Sequence, residues 1–240
     1  MDFKAGEILL VDKPYKWTSF DVVNKLRWNL KKKFHQKKFK VGHAGTLDPL
    51  ATGLLIICTG KATKEITTLV SDEKVYTGTF LLGKTTPSYD LEKPFDREDY
   101  PTEHITKELL EEVAQSFLGE QEQFPPIFSA KMIDGKRAYE LARKGREVEM
   151  KPNRIEIKEF TINADRFPEI DFKIHCSKGT YIRSIANDFG ERLNSGATLI
   201  ALRRIQSGNF FIENTKTVEE WEQIIRGEED FTASVPPTVD

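Results

Sequence analysis

The sequence predicts an α/β domain, and three observations predict it. A length of 240 residues suits one large α/β domain or two small ones. Short, β-rich apolar runs recur, Leu54–Cys58 being the clearest, closed by Thr59-Gly60. Between them lie stretches whose apolar residues repeat at helical spacing, such as Val23, Leu26 and Leu30, or Leu109, Leu110, Val113 and Phe117.

Taken in order, Ile8–Val11 reads as a short strand ending at Asp12-Lys13-Pro14. Thr18 and Asp21 have the spacing of a capping box, which opens a helix running into the Lys31–Lys33 run; lysines there suit the negative end of the helix dipole. Gly42, Gly45, Gly53 and Pro49 exclude a regular element before Leu54 and leave a shaped loop. Lys61–Leu69 follows as a short helix. Val75–Leu82 is a strand with Tyr76, Gly78, Phe80 and Leu82 on alternate positions, then comes a polar turn over Gly83–Asp90 and irregular chain over 91–105. Thr106–Leu118 is a helix stopped by Gly119. Pro125-Pro126 forces extended backbone, and a short basic helix follows through Arg146. Arg154–Thr161 and Glu169–Cys176 read as paired strands. A helix opened by Lys178-Gly179-Thr180 turns Ile182, Ile185, Ala186, Phe189 and Leu193 inward. Ala197–Ile205 and Phe210–Ile212 read as strands, Thr217–Arg226 as a helix, and the remainder as a disordered tail.

Composition narrows the function classes. No apolar run approaches the ~20 residues of a membrane span, and Met1-Asp2-Phe3-Lys4 does not open a signal peptide. Cys58 and Cys176 fall in strands without Cys or His at metal spacing, so free thiols in a reducing cytoplasm are expected, with no metal. Gly60-Lys61 is no phosphate-binding loop, because Leu55 stands where that motif needs glycine. The net charge of −2 hides an asymmetry: residues 1–64 hold 13 Lys or Arg against 5 Asp or Glu, and residues 211–240 hold 2 against 8. The densest basic part, Lys25 to Lys40, is interleaved with Trp28, Phe34, His35 and Phe39. It is either a solvated helix end or a phosphate-contacting patch.

The loop over 41–53 carries the sharpest candidate. Asp48 on a shaped loop before a rigid strand is either an Asx-turn residue or a carboxylate held for chemistry. The stretch His43-Ala44-Gly45-Thr46-Leu47-Asp48-Pro49-Leu50-Ala51-Thr52-Gly53 resembles the catalytic motif of the tRNA pseudouridine synthase B (TruB) family. So do the strand around Tyr76, the stretch from His175 to Ser184, and Ala201-Leu202-Arg203-Arg204, in family order and spacing. Asp12-Lys13-Pro14 through Asp21 and Ser129-Ala130-Lys131 add to the resemblance; Ser88, where the family usually has threonine, departs from it while keeping the hydroxyl.

The resemblance implies a pseudouridine synthase fold: a mixed, mostly antiparallel sheet with flanking helices and an RNA-binding cleft. It implies isomerisation of uridine to pseudouridine, at uridine-55 in the T loop of tRNA, without a cofactor. Asp48 would be the catalytic carboxylate and Arg183 its guanidinium partner; without the family, Arg183 reads as a solvated arginine in a helix's first turn, where a positive charge is mildly unfavourable. Tyr76 would be a further catalytic residue, stacking on the extruded uracil and sitting near C5, where a proton must leave, with Tyr181 and Leu202 lining the pocket. His43 would fill the space the base leaves. Lys64 and the Lys31–Lys40 run would meet phosphates. Without the family, Tyr76 and Leu202 read as core and His43 as a turn residue. Residues 1–212 are expected to form the catalytic domain, with about 123–152 a thumb-like insertion closing over RNA through Lys131, Lys136, Arg137, Arg143, Lys144 and Arg146. Residues 213–240 would be an acidic helix and tail without the RNA-binding PUA domain of many relatives. The expected protein is a cytoplasmic monomer with no obligate protein partner. Two competing readings remain: a non-catalytic tRNA-binding or folding protein, which would have no use for both Asp48 and Arg183, and a hydrolase of the same glycosidic bond, which would release free uracil.

Overall fold

The computed structural model describes residues 1–70, 73–126, 128 and 151–227, with the backbone of two short strands at 132–133 and 136–137. The remaining part of the expected thumb-like insertion, including Lys131, Arg143, Lys144 and Arg146, and the tail beyond 227 lie outside the described residues.

One nine-stranded sheet organises the chain. Its strands are β1 (Ile8–Lys13), β2 (Val41–Ala44), β3 (Ala51–Thr59), β4 (Glu73–Leu82), β5 (Gly119–Gln123), β8 (Asn153–Arg166), β9 (Glu169–Ser177), β10 (Ala197–Ser207) and β11 (Phe210–Phe211). The short pair β6 (Met132–Ile133) and β7 (Lys136–Arg137) forms a separate ribbon. The spatial order is β1-β3-β10-β4-β9-β8-β5, with β2 beside β3 and β11 beside β10. Among the described strands of this sheet, only β3 and β10 pair in parallel. Their pairing spans Ala51–Gly53 against Leu202–Arg204, and β2 takes over the same edge of β3 from Ile56 to Thr59. The parallel seam therefore opens where the loop between β2 and β3 emerges.

Helices α1 (Ser19–Lys33), α3 (Lys107–Gln115), α4 (Ile182–Arg192) and α5 (Val218–Arg226) share the main core with one side of the sheet; α2 (Ile66–Leu69) continues a 3₁₀ turn over Gly60–Glu65. Along β3 the pleat sends Leu55 and Ile57 into the main core, and Ile56 and Cys58 into a smaller cluster with Ala44 and Ala62. Phe189 of α4 packs 5.5 Å from Phe80 and 5.6 Å from Phe160, which fixes α4 over β4 and β8. The capping box predicted at Thr18 is present, with Asp21 as the reciprocal partner.

The expectation of no regular element before Leu54 is corrected. Gly42 and Gly53 lie inside strands, and their role is close approach rather than turning. A Cβ on Gly42 would stand 2.7 Å from Ile66, and one on Gly53 (φ +100°) would stand 2.3 Å from the Arg204 carbonyl oxygen. Gly53 thus permits the parallel seam with β10. Strand β5, with its polar sequence Gly-Glu-Gln-Glu-Gln, shows no apolar alternation to read; it forms by pairing with β8.

Candidate active site

The loop from Gly45 to Leu50 is fixed at several points before Asp48 does anything. The first residue of α1, Ser19, exchanges hydrogen bonds with Leu47, its hydroxyl accepting from the Leu47 N–H at 2.9 Å and donating to the Leu47 carbonyl at 3.1 Å. Arg204 of β10 is buried; it donates to the Gly45 carbonyl at 3.0 Å and to the Leu54 carbonyl at 2.8 Å. Lys13, at the end of β1, is fully buried and donates to the carbonyls of Pro14, Trp17 and Pro49 at 3.0, 2.5 and 3.3 Å. The loop is held from β1, α1 and β10 at once, which fixes the direction of the side chain it carries at Asp48.

Asp48 projects from this loop into a cleft lined by Leu50, Asp90, Leu199, Ala201 and Leu202. Its side chain is 37% exposed. Arg183, the second residue of α4, is 4% exposed and meets it with two prongs: Nε to Oδ2 at 2.9 Å and Nη2 to Oδ1 at 3.2 Å. This forked geometry orients the carboxylate as well as attracting it. Nη1 of the same guanidinium donates to the carbonyls of Ser88 (3.3 Å) and Phe128 (3.0 Å). A second carboxylate, Asp90, stands 3.7 Å from Arg183 Nε and is 3% exposed. Burial works against the Arg183 charge, but Asp48 and Asp90 outweigh it and hold its pKa above the ordinary guanidinium value.

Tyr76 on β4 lies opposite Arg204 in the β4–β10 register and is 7% exposed. Burial raises the pKa of its phenol, with the Arg204 charge partly offsetting, so the ring is neutral at physiological pH. Leu202 lines the Asp48 cleft. Tyr181 is the residue before α4; its N–H donates to Gln123 Oε1 at 2.8 Å, and Gln123 Nε2 donates to its carbonyl at 3.0 Å, which ties the start of α4 to β5. His43 lies on strand β2, paired with Ile57, so a turn histidine is not what the structure shows. Burial and the Arg204 charge lower its pKa, and its Nδ1 is buried with no hydrogen-bond partner among the described residues. The structure therefore places Asp48 and Leu202 on one cleft, with the buried Arg183 bonded to Asp48 and Tyr76 opposite Arg204 in the sheet. Lys64 is not among them. It lines a separate hollow of about 480 Å³ with Lys4, Lys38, Lys40 and Lys61, beside Gly60 and so at the opposite end of the β2–β3 hairpin.

Lys13, read only as part of the Asp12-Lys13-Pro14 stretch, and Asp90, read only as part of a polar turn, have no site role in the sequence reading. Lys13 carried a signal: it continues the inward alternation of Leu9 and Val11. Burial pushes its pKa down to about 8, with Asp48 and Asp21 holding it partly up. The unfolded lysine titrates near 10.4, so between about 8 and about 10.4 the unfolded chain binds more protons and stability rises with pH. Lys13→Met removes this contribution. In urea unfolding at pH 7.5 and pH 10, the wild type is expected to gain up to about 3 kcal/mol relative to the variant at the higher pH. An unchanged difference would contradict the burial of this charge.

Comparison with solved structures places the architecture. The chain resembles one in the crystal structure of a Cbf5-Nop10-Gar1 complex (TM-score 0.69, 24% identity), over 95% of this chain and 58% of that one. It is similar to a chain in an H/ACA RNP bound to a substrate RNA containing 2′-deoxyuridine (TM-score 0.66, 23% identity), over 95% of this chain and 57% of that one. The sheet and its flanking helices are those of the pseudouridine synthase fold. Residues 31–182 match the family described as TruB family pseudouridylate synthase, N-terminal domain. The tRNA pseudouridine synthase B of Phocaeicola vulgatus is 56% identical over 224 residues, 92% of this chain and 95% of that protein. That of Flavobacterium johnsoniae is 52% identical over 226 residues, 94% and 98% respectively. The chain belongs to the TruB family of pseudouridylate synthases.

Proposed function

We propose that this chain isomerises uridine to pseudouridine in tRNA, at uridine-55 of the T loop, with Asp48 as the catalytic carboxylate. The observation that carries the reading is the half-exposed Asp48 carboxylate aimed into a cleft by a buried, forked guanidinium. The target base is packed inside a folded loop, so it must first be flipped out, at a cost of a few kcal/mol. His43, uncharged and beside the Asp48 loop, takes the vacated space. The flipped uracil enters the cleft against Tyr76, Tyr181 and Leu202.

The N1–C1′ bond then breaks, the uracil turns, and C5 bonds to C1′. The proton that leaves C5 is balanced by one gained at N1, so composition is unchanged and no cofactor takes part. Asp48 serves as an ionised oxygen in either form of the step, attacking the sugar or drawing off a ribose proton. Arg183 keeps it charged and directed. The raised pKa of Tyr76 disfavours a phenolate, so Tyr76 contributes a stacking face.

The RNA is held by phosphate contacts from Lys64 and the Lys31–Lys40 run. The enzyme works as a monomer in the cytoplasm with no obligate protein partner. Incubation of unmodified tRNA with the wild type should yield a pseudouridine adduct at uridine-55 with unchanged RNA mass; release of free uracil would instead mark a hydrolase. Binding of a T-arm hairpin should weaken by about 10³ or more between 50 and 200 mM salt if six or more phosphates are met. A flat response would contradict the basic interface.

A further inference from the structure

Of the 13 lysines and arginines in residues 1–64, only Lys25 carries a carboxylate ion pair among the described residues, to Glu222 at 3.2 Å. Elsewhere several cations are matched to carboxylates: Lys84 with Glu98, Lys158 with Glu73, Arg166 with Asp171, Lys173 with Glu159, Arg203 with Asp12. Part of the unmatched charge lies along α1, as Arg27, Lys31, Lys32 and Lys33. On its solvent face Phe20 is 57% exposed and Trp28 52%. The Arg27 guanidinium lies 5.6 Å from the Phe20 ring, and the Lys32 ammonium 5.3 Å from the Trp28 ring. The one acid in the helix, Asp21, is engaged at its start, where its carboxylate accepts from the Thr18 N–H at 2.8 Å and the Thr18 hydroxyl at 2.6 Å.

The two ends of α1 give this face a direction. Ser19 bonds to Leu47, next to Asp48. Trp28 stands nine residues on, roughly 14 Å along the axis. Beyond the helix the chain turns into a lysine-rich loop closed by stacked Phe34 and Phe39 rings, centroids 5.6 Å apart, which leads to the lysine-lined hollow. The face therefore joins the catalytic loop to that hollow. Burial of an apolar stripe explains Val22, Val23, Leu26 and Leu30 of the same helix. It does not explain two large rings left in water among cations.

We infer that this face of α1 is a docking track for the tRNA substrate, on which Trp28 and Phe20 stack unpaired bases while Lys31 and Lys32 meet the flanking phosphates. The inference rests on the tRNA reading above. Flat rings interspersed with unmatched cations are the chemistry that holds single-stranded nucleotides regardless of sequence. An acidic peptide would satisfy the lysines and leave the rings without a use.

The test is Trp28→Ala, with Trp28→Phe as the stacking-competent control and Trp28→Ala/Phe20→Ala as the stronger variant. Each is assayed by filter binding to unmodified tRNA at fixed salt and by multiple-turnover pseudouridine formation. Trp28 is half in solvent, and a matching thermal unfolding curve verifies that the fold is retained. Trp28→Ala should raise Kd and KM about tenfold, the double variant further, and leave kcat at saturating tRNA unchanged; Trp28→Phe should stay within about threefold of the wild type. Wild-type Kd in both alanine variants, or a loss from Trp28→Ala that Trp28→Phe shares in full, would overturn the inference. Failure of the activity reading would look different: the variants would still lose affinity, but the wild type would form no pseudouridine.

Discussion

Asp48→Asn is expected to bind unmodified tRNA within about threefold of the wild type and to lose at least about 10⁴ in the single-turnover rate of pseudouridine formation, the scale of removing a residue that acts on the reacting atoms. The two halves of this expectation have separate causes. Asparagine keeps the shape of the side chain, and Lys13, Ser19 and Arg204 hold the loop through backbone groups near position 48 or through Ser19's own hydroxyl. The cleft should persist. What disappears is the negative oxygen, which an amide cannot replace either as a nucleophile or as an acceptor of a ribose proton. Filter binding and adduct mapping on the same preparation separate the two. Turnover within tenfold of the wild type would remove Asp48 from the chemistry.

The second large effect is at Arg183, where stability and activity should fall together. Arg183→Met leaves Asp90, 3% exposed, without the nearest cation, and leaves the Ser88 and Phe128 carbonyls without a donor. Breaking a buried charge pair by removing one partner costs about 3–5 kcal/mol. Arg183→Lys restores a charge but not the fork, because an ammonium cannot bond both oxygens of Asp48 along fixed parallel lines. It should recover a large part of the stability and still lose about 10²–10³ in rate, the usual result of removing one pre-oriented donor. Urea unfolding and single-turnover assays on both variants check this. A stable, fully active Arg183→Met would mean that the pair is incidental.

What the sequence made legible follows from which forces are local. The capping box at Thr18 and the inward set Ile182, Ile185, Ala186, Phe189 and Leu193 are short-range patterns, and both appear in the structure as read. The pairing of β8 with β9 is as expected, with β8 running on to Arg166. Gly42 and Gly53 misled because a glycine that permits a turn and one that permits close approach look alike until the neighbouring Ile66 and Arg204 are placed. Strand β5 was hidden because only Gln123 along it is buried. The Asp48–Arg183 pair spans 135 positions, a separation no periodicity encodes. Only the resemblance joined the two residues in advance. Asp90 stayed unnoticed because a polar turn gives no sign that its carboxylate points inward until α4 supplies the guanidinium it faces.

The most direct test is a double-mutant cycle on single-turnover pseudouridine formation, comparing Asp48→Asn, Arg183→Lys and the double variant at saturating tRNA. If Arg183 acts by aiming the Asp48 oxygen, it has nothing left to aim once that oxygen is gone, and the double variant should be no slower than Asp48→Asn alone. Rate losses that multiply would show two independent contributions, and the oriented pair would no longer account for the activity.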